Sequence, residues 1–149
     1  MRVVALDAWA VLALLRGERP ALEVLGHYVN QAANGTTRLV INVINLGEVL
    51  YRLIQVEGTA DARRHLADFR RGPIEIGAAR DALVMDAAEL KAAHPLSYAD
   101  AIAVATARAE RALLLTGDLE ILALPRAIVR TRKLEREPRG VVAPLRPRK

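Results

Sequence analysis

Short unbroken apolar runs alternate along this chain with longer stretches of helical periodicity, and that alternation limits the fold more than any other feature. Val3-Val4-Ala5-Leu6 is the first such run, closed by Asp7, and it predicts a strand over Arg2–Leu6 buried on both faces. Arg38–Val43 is apolar and β-branched, and Ile74–Ile76, Leu113–Leu115 and Ala127–Val129 are shorter candidates of the same kind. Between them the spacing predicts helices over Trp9–Leu15, closing near Gly17, and over Pro20–Gln31, with proline at its first turn. In Asn45–Glu57 the residues Leu46, Val49, Leu50, Leu53 and Ile54 recur at helical spacing ahead of Gly58. Thr59–Arg71, Ala79–Ala93 and Ser97–Arg111 are further helices, the last with Ser97 as N-cap and Asp100 completing an acidic capping box; Leu119–Leu122 is a short helical turn. Strands alternating with helices predict an α/β chain whose central parallel sheet is covered on both faces.

The 149 residues suffice for one compact domain, and with aromatics at 3% its core must be built from Leu, Ile, Val and Ala. The absence of cysteine removes disulfides, thiolate nucleophiles and zinc-thiolate sites, and it suits a reducing, cytoplasmic setting. Asp7 interrupts the apolar N-terminal stretch, and no uncharged stretch approaches the roughly 20 residues a membrane span needs. The net charge is +5, yet from Arg126 to Lys149 nine basic residues face only Glu135 and Glu137, so the preceding body is slightly acidic. A domain over 1–131 and a basic tail over 132–149 follow from this shift. The tail is either a solvated terminus or a means of holding phosphates beside a carboxylate pocket, with Arg130, Arg132 and Lys133 as candidate nucleic-acid contacts.

In a parallel α/β sheet, ligands bind beyond the carboxyl ends of the strands. Asp7 follows the first strand directly, Asp118 follows Leu113–Leu115 through Thr116 and Gly117, and Glu48 and Asp100 each lie about one turn into a helix. Asp7 stands between Leu6 and Ala8, and Asp100 between Ala99 and Ala101, so their charges need a partner. Ionised carboxylates brought together raise one another's pKa unless a cation neutralises them, and a hard divalent ion with oxygen ligands is the natural one. Bound there, it would activate a water for in-line attack on a phosphodiester. Each acid also has a plain structural use: Asp7 and Asp118 suit helix caps, Glu48 an exposed helix face, and Asp100 the box of Ser97. Ser97 is the sole serine, and His27, His65 and His94 form no triad pattern, so acyl transfer has little to work with.

The segments Val3-Val4-Ala5-Leu6-Asp7-Ala8-Trp9, Ile44-Asn45-Leu46-Gly47-Glu48-Val49, Leu96-Ser97-Tyr98-Ala99-Asp100-Ala101 and Leu115-Thr116-Gly117-Asp118 resemble, in order, the acidic motifs of PIN domains of the VapC toxin type. The correspondence runs from Arg2 to about Val129. The resemblance implies a flavodoxin-like α/β/α sandwich and an endoribonuclease using Mg²⁺ or Mn²⁺. Asp7, Glu48, Asp100 and Asp118 match the acidic ligand positions, and Asn45 and Thr116 match polar positions that support them. It also implies tRNA or ribosomal RNA as substrate, a homodimer, and a small antitoxin partner of a type II module. Ala8 departs from the Ser or Thr often found after the first Asp, and the basic tail matches no motif.

Two other readings share the architecture. A receiver-like phosphoacceptor domain needs paired acids after the first strand and an Asp after the middle one; Asp7 stands alone, and no Asp follows Ile74–Ile76. A haloacid-dehalogenase-type phosphatase needs a second Asp where Trp9 stands. A PIN scaffold that binds RNA or protein without cutting it is the third alternative. Trp9 itself suits a core or dimer contact, or a platform for a base.

Overall fold

The computed structural model describes residues 1–138. In chain order the elements are β1 (Arg2–Leu6), α1 (Ala8–Arg16), α2 (Ala21–Ala33), β2 (Thr37–Asn42), α3 (Val43–Glu57), α4 (Thr59–Arg70), β3 (Ile74–Gly77), α5 (Asp81–Ala93), α6 (Tyr98–Glu110), β4 (Leu113–Thr116), α7 (Leu119–Leu122) and β5 (Thr131–Lys133). The strands form one five-stranded sheet in the order β3-β2-β1-β4-β5, every neighbouring pair parallel.

The period of two along each strand sorts the core into two layers. Val4 and Leu6 of β1, Leu39 and Ile41 of β2 and Leu115 of β4 face one side, packed with Val11, Leu25, Leu46, Val49 and Leu53 of α1, α2 and α3. Ala5, Val40 and Leu114, the alternate residues, face the other side, with Ala87, Leu90, Ile102, Val104 and Ile121. Two buried faces make this an α/β/α sandwich, the arrangement an all-parallel sheet requires. Helix α6 is buried from Ala101 to Ala107 without a break, and its alanines let it lie close between the sheet and α5.

The last strand differs from expectation: it lies at Thr131–Lys133 and not at Ala127–Val129. Val129 is buried and Ile128 half-buried against the second layer, so their apolar character serves packing in a turn rather than pairing. The paired residues, Leu114 with Thr131, Leu115 with Arg132 and Thr116 with Lys133, put a polar, charged strand at the sheet edge. Charge on an edge strand discourages pairing with other chains. Leu134, just after it, returns to the first core layer. Residues 132–138 of the expected tail are thus described, while 139–149 lie outside the described residues. Helix α3 starts two residues earlier than its periodicity indicates, because Asn42 caps it, accepting from the Ile44 amide at 2.9 Å. No helix among the described residues is long and apolar enough to cross a membrane.

Candidate metal centre

The sheet order reverses between β1 and β4, which open connections to opposite sides. Leu6 pairs with Leu115, so the residues that follow, Asp7 and Thr116, meet at the carboxyl edge. The Thr116 hydroxyl donates to Asp7 Oδ2, and Asp7 Oδ1 accepts from the Ala10 amide at 2.8 Å as the N-cap of α1. Thr116 Oγ1 in turn accepts from the Asp118 amide at 2.9 Å. Asp118 Oδ1 caps α7, accepting from the amides of Glu120 and Ile121 at 2.9 and 3.0 Å. Both acids are therefore caps, as their plain reading required, and the capping bonds fix their orientation at the sheet edge.

Asp7 is only 1% exposed, and burial pushes its carboxyl up to about 7, against the lowering effect of its bonds to Thr116 and Ala10; the charges of Asp100 and Asp118 raise it further. Asp100, half-buried one turn into α6, has an amide that donates to Ser97 Oγ at 3.1 Å. Its carboxyl rises to about 6, chiefly through burial and then through Asp118, with Glu48 adding to the effect and Ser97 opposing it. Asp100, Asp118 and Glu120 can each offer an oxygen within 4.8 Å of the others.

A cleft of about 370 Å³ opens over these acids, and Glu48, Asp100 and Asp118 line it, while Asp7 lies behind them. Glu48 reaches it from α3, where it also pairs with Arg52 at 3.2 Å. The four acids expected from the sequence thus meet at one edge of the sheet. Glu120 joins them and was not anticipated; its only sequence signal is its place two residues beyond Asp118, which reads equally as an acidic first-turn residue. Asn45 is buried, its Nδ2 donating to the Ala99 carbonyl at 2.9 Å and so tying the first turn of α3 to the start of α6. Its Oδ1 is buried and accepts no hydrogen bond among the described residues.

The three basic residues singled out in sequence stand elsewhere. Arg132 donates to the Tyr28 hydroxyl at 3.0 Å, Lys133 lies 3.9 Å from Glu135, and Arg130 faces the opposite end of α6. The cleft's cations are instead Arg16, Arg52 and Arg136. Arg136 is held by a strap in which the Ala21 amide donates to the Glu135 carbonyl at 2.8 Å and the Glu137 amide to the Arg19 carbonyl at 2.9 Å. Its guanidinium lies 5.1 Å from the centre of the Trp9 ring and 3.2 Å from Glu18. Trp9 is accordingly half-buried at the cleft wall, packed on the first core layer.

A sequence profile of the PIN domain matches residues 4–127, most of the chain. The chain belongs to the PIN domain family. The family assignment covers all four acids and leaves the receiver and phosphatase readings without support. No curated protein matches the sequence significantly. Among solved structures, the chain is similar to VapBC2 from Rickettsia felis, bound to a DNA fragment from its promoter, at a TM-score of 0.71 and 17% identity over 89% of this chain and 99% of that one. It is similar also to DNA-bound VapBC from Salmonella typhimurium, at 0.72 and 13% over 89% and 98%. A sarcin-ricin-loop-cleaving toxin, VapC20 from Mycobacterium tuberculosis, aligns at 0.63 and 18% over 80% and 93%. At these identities the likeness is one of fold.

Proposed function

We propose that this PIN domain is a divalent-metal-dependent endoribonuclease and the toxin half of a type II toxin-antitoxin pair. The observation that carries the proposal is the gathering of Asp100, Asp118 and Glu120 within 4.8 Å, with Asp7 and Glu48 around them, at the carboxyl edge of the sheet. The donor set fits such an ion: it is all oxygen, without sulfur or imidazole, which suits Mg²⁺ or Mn²⁺. The carboxyls of Asp7 and Asp100 are raised chiefly by burial and further by the neighbouring acids, and a cation among them would favour their charged forms. Asp7, Asp100, Asp118 and Glu48 are the residues that would hold the ion, with Glu120 as an additional ligand. When bound, it supplies a Lewis acid that polarises the phosphodiester and lowers the pKa of attacking water.

The chain's own groups do the rest. Thr116 holds Asp7 and the Asp118 backbone in one relay, so the two acids cannot move independently. Asn45 keeps Asp100 in register with Glu48 by joining α3 to α6. Arg52 and Arg136, on the cleft rim, offer guanidinium donors to phosphates flanking the scissile one. tRNA or ribosomal RNA is the proposed substrate class, in keeping with VapC20 being a sarcin-ricin-loop-cleaving toxin. The proposed antitoxin and homodimer rest on the VapBC relatives and on exposed apolar residues Val43, Ile44 and Tyr51 of α3 and Tyr98 of α6.

The test is cleavage of a structured RNA with Mg²⁺ or Mn²⁺, with and without chelator, by the wild type and Asp7→Asn. Cleavage by the wild type alone, abolished by chelator, is expected. Equal cleavage by the variant would remove the assignment.

A further inference from the structure

A second cavity, of about 260 Å³, lies at the opposite edge of the sheet, between the C-terminal end of α6 and the segment after α7. Four arginines line it, Arg108 and Arg111 from α6 and its cap, Arg126 and Arg130 from the loop before β5, and no carboxylate does. Arg108 is bound to Asp86 at 3.1 Å and to the Ile128 carbonyl at 3.0 Å, which braces the loop against the helix. Arg130 donates to the Arg111 carbonyl at 3.5 Å and to nothing else among the described residues. Among the described residues the side chains of Arg111 and Arg126 have no ion pair or hydrogen bond.

The negative end of a helix dipole accounts for a cation at the end of α6, so Arg108 and Arg111 alone would need no ligand. It does not account for two more, brought from a separate segment into the same concavity, where Asp86, outside the lining, pairs with Arg108 alone. Like charges lining one concavity repel one another, and an anion between them turns that repulsion into binding. Guanidinium forks match phosphate oxygens two bonds at a time.

We propose that this arginine cavity is a second contact site for RNA, gripping backbone phosphates at a distance from the acid cleft. The inference rests on the reading of the chain as an RNA-cutting enzyme. Eleven residue steps along α6 and its cap lead from Asp100 to Arg111, about 16 Å of helical rise. A single nucleotide cannot reach both places, so the cavity engages a different part of a folded substrate from the part being cut. It adds affinity for long or structured RNA and none for a short oligonucleotide.

The experiment measures binding of a labelled RNA hairpin in chelator, where nothing is cut, for the wild type and the double variant Arg111→Ala/Arg126→Ala. Both side chains are exposed, and a thermal melt checks that the fold is kept. The double variant should bind at least about tenfold more weakly, and the slope of log Kd against log salt should fall by about 1 to 2. With Mn²⁺, its KM for the hairpin should rise at constant kcat, while cleavage of an oligonucleotide of a few residues is unchanged. Unaltered affinity and salt slope would overturn the proposal. So would inorganic phosphate binding to the wild type and not to the double variant while both bind the hairpin equally, since the cavity would then be a free-phosphate site. RNA binding that responds to the substitutions in a protein that never cuts would count against the nuclease reading and leave the cavity's role standing.

Discussion

The indole of Trp9 lies against Gly117, so closely that a Cβ on Gly117 would stand 2.3 Å from ring atoms Cε2 and Cζ2. Gly117 links Thr116, which holds Asp7, to Asp118, so the ring presses on the joint between two site acids. Arg136 covers the ring from within the same cleft. Gly117→Ala must push the indole off or shift Asp118. It should cost about 1 to 3 kcal/mol, the usual range for overpacking. Trp9 is the chain's sole tryptophan, so its emission should shift toward the red as the ring is displaced. Urea unfolding followed by fluorescence tests both. Adding Trp9→Leu should recover part of the loss, and a fully additive double variant would show that the contact is not the cause.

Thr116 is buried with its one hydroxyl donating to Asp7 and accepting from the Asp118 amide. Thr116→Val keeps the shape and removes both bonds, leaving Asp7 Oδ2 and the Asp118 N–H without these partners while the Ala10 amide still donates to Oδ1. The expected destabilisation is about 1 to 3 kcal/mol. The bond from Thr116 holds the Asp7 carboxyl down against burial, so its loss should move that group's titration upward. A ¹³C-NMR titration of the Asp7 carboxyl in the metal-free protein reads the shift directly, and an unmoved or lowered midpoint would contradict the arrangement.

The layout of the sheet was legible because its strands are apolar on both faces, so burial and periodicity agree from Val3 to Leu115. The final strand was not, because Thr131–Lys133 is a polar edge strand whose residues carry no burial signal, while the apolar Ile128 and Val129 before it pack without pairing. Asp7 and Asp118 could be placed at strand ends, but whether they capped helices or lay together was undecidable from spacing; both are caps, and Thr116 bonds to the Asp7 side chain and the Asp118 amide. Glu120 was invisible because its distance from Asp100 depends on how β4 turns into α7. The arginines failed differently. Counting charge located the basic segment, but which guanidinium faces the cleft is set by the strap between residues 135–137 and 19–21, a contact no linear pattern announces.

Glu120 offers the candidate centre an oxygen from an exposed position in the first turn of α7, so Glu120→Gln should leave the fold intact. Its effect should be on the metal alone: Mn²⁺ affinity, measured calorimetrically, is expected to fall about tenfold. Glu48→Gln should weaken it less, because Glu48 is shared with Arg52 and lies outside the tight group of three. If Glu120→Gln binds Mn²⁺ as the wild type does, the ion sits deeper, toward Asp7.

The buried carboxyl of Asp7 makes stability depend on pH in a direction opposite to that of a salt-bridged acid. Its folded-state value is about 7, against about 3.9 for an unfolded chain. Below pH 4 the group is protonated in both states and costs nothing. Between about 4 and 7 the unfolded chain gives up the proton while the folded one keeps it, so metal-free stability falls as pH rises, by up to about 1.4 kcal/mol per unit. Asp100, raised to about 6, adds in the same window. Asp7→Asn removes the larger contribution and can still cap α1, since Asn is as good a cap as Asp. In chelator the variant should therefore unfold at higher urea than the wild type at pH 8, by roughly 2 to 4 kcal/mol, and the gap should close toward pH 4.5. Saturating Mn²⁺ should stabilise the wild type more than the variant, because an ion that binds only the folded state adds its binding free energy to stability. A gap that is the same at both pH values would mean that Asp7 is ionised in the folded protein, and that something other than a bound cation already offsets its charge.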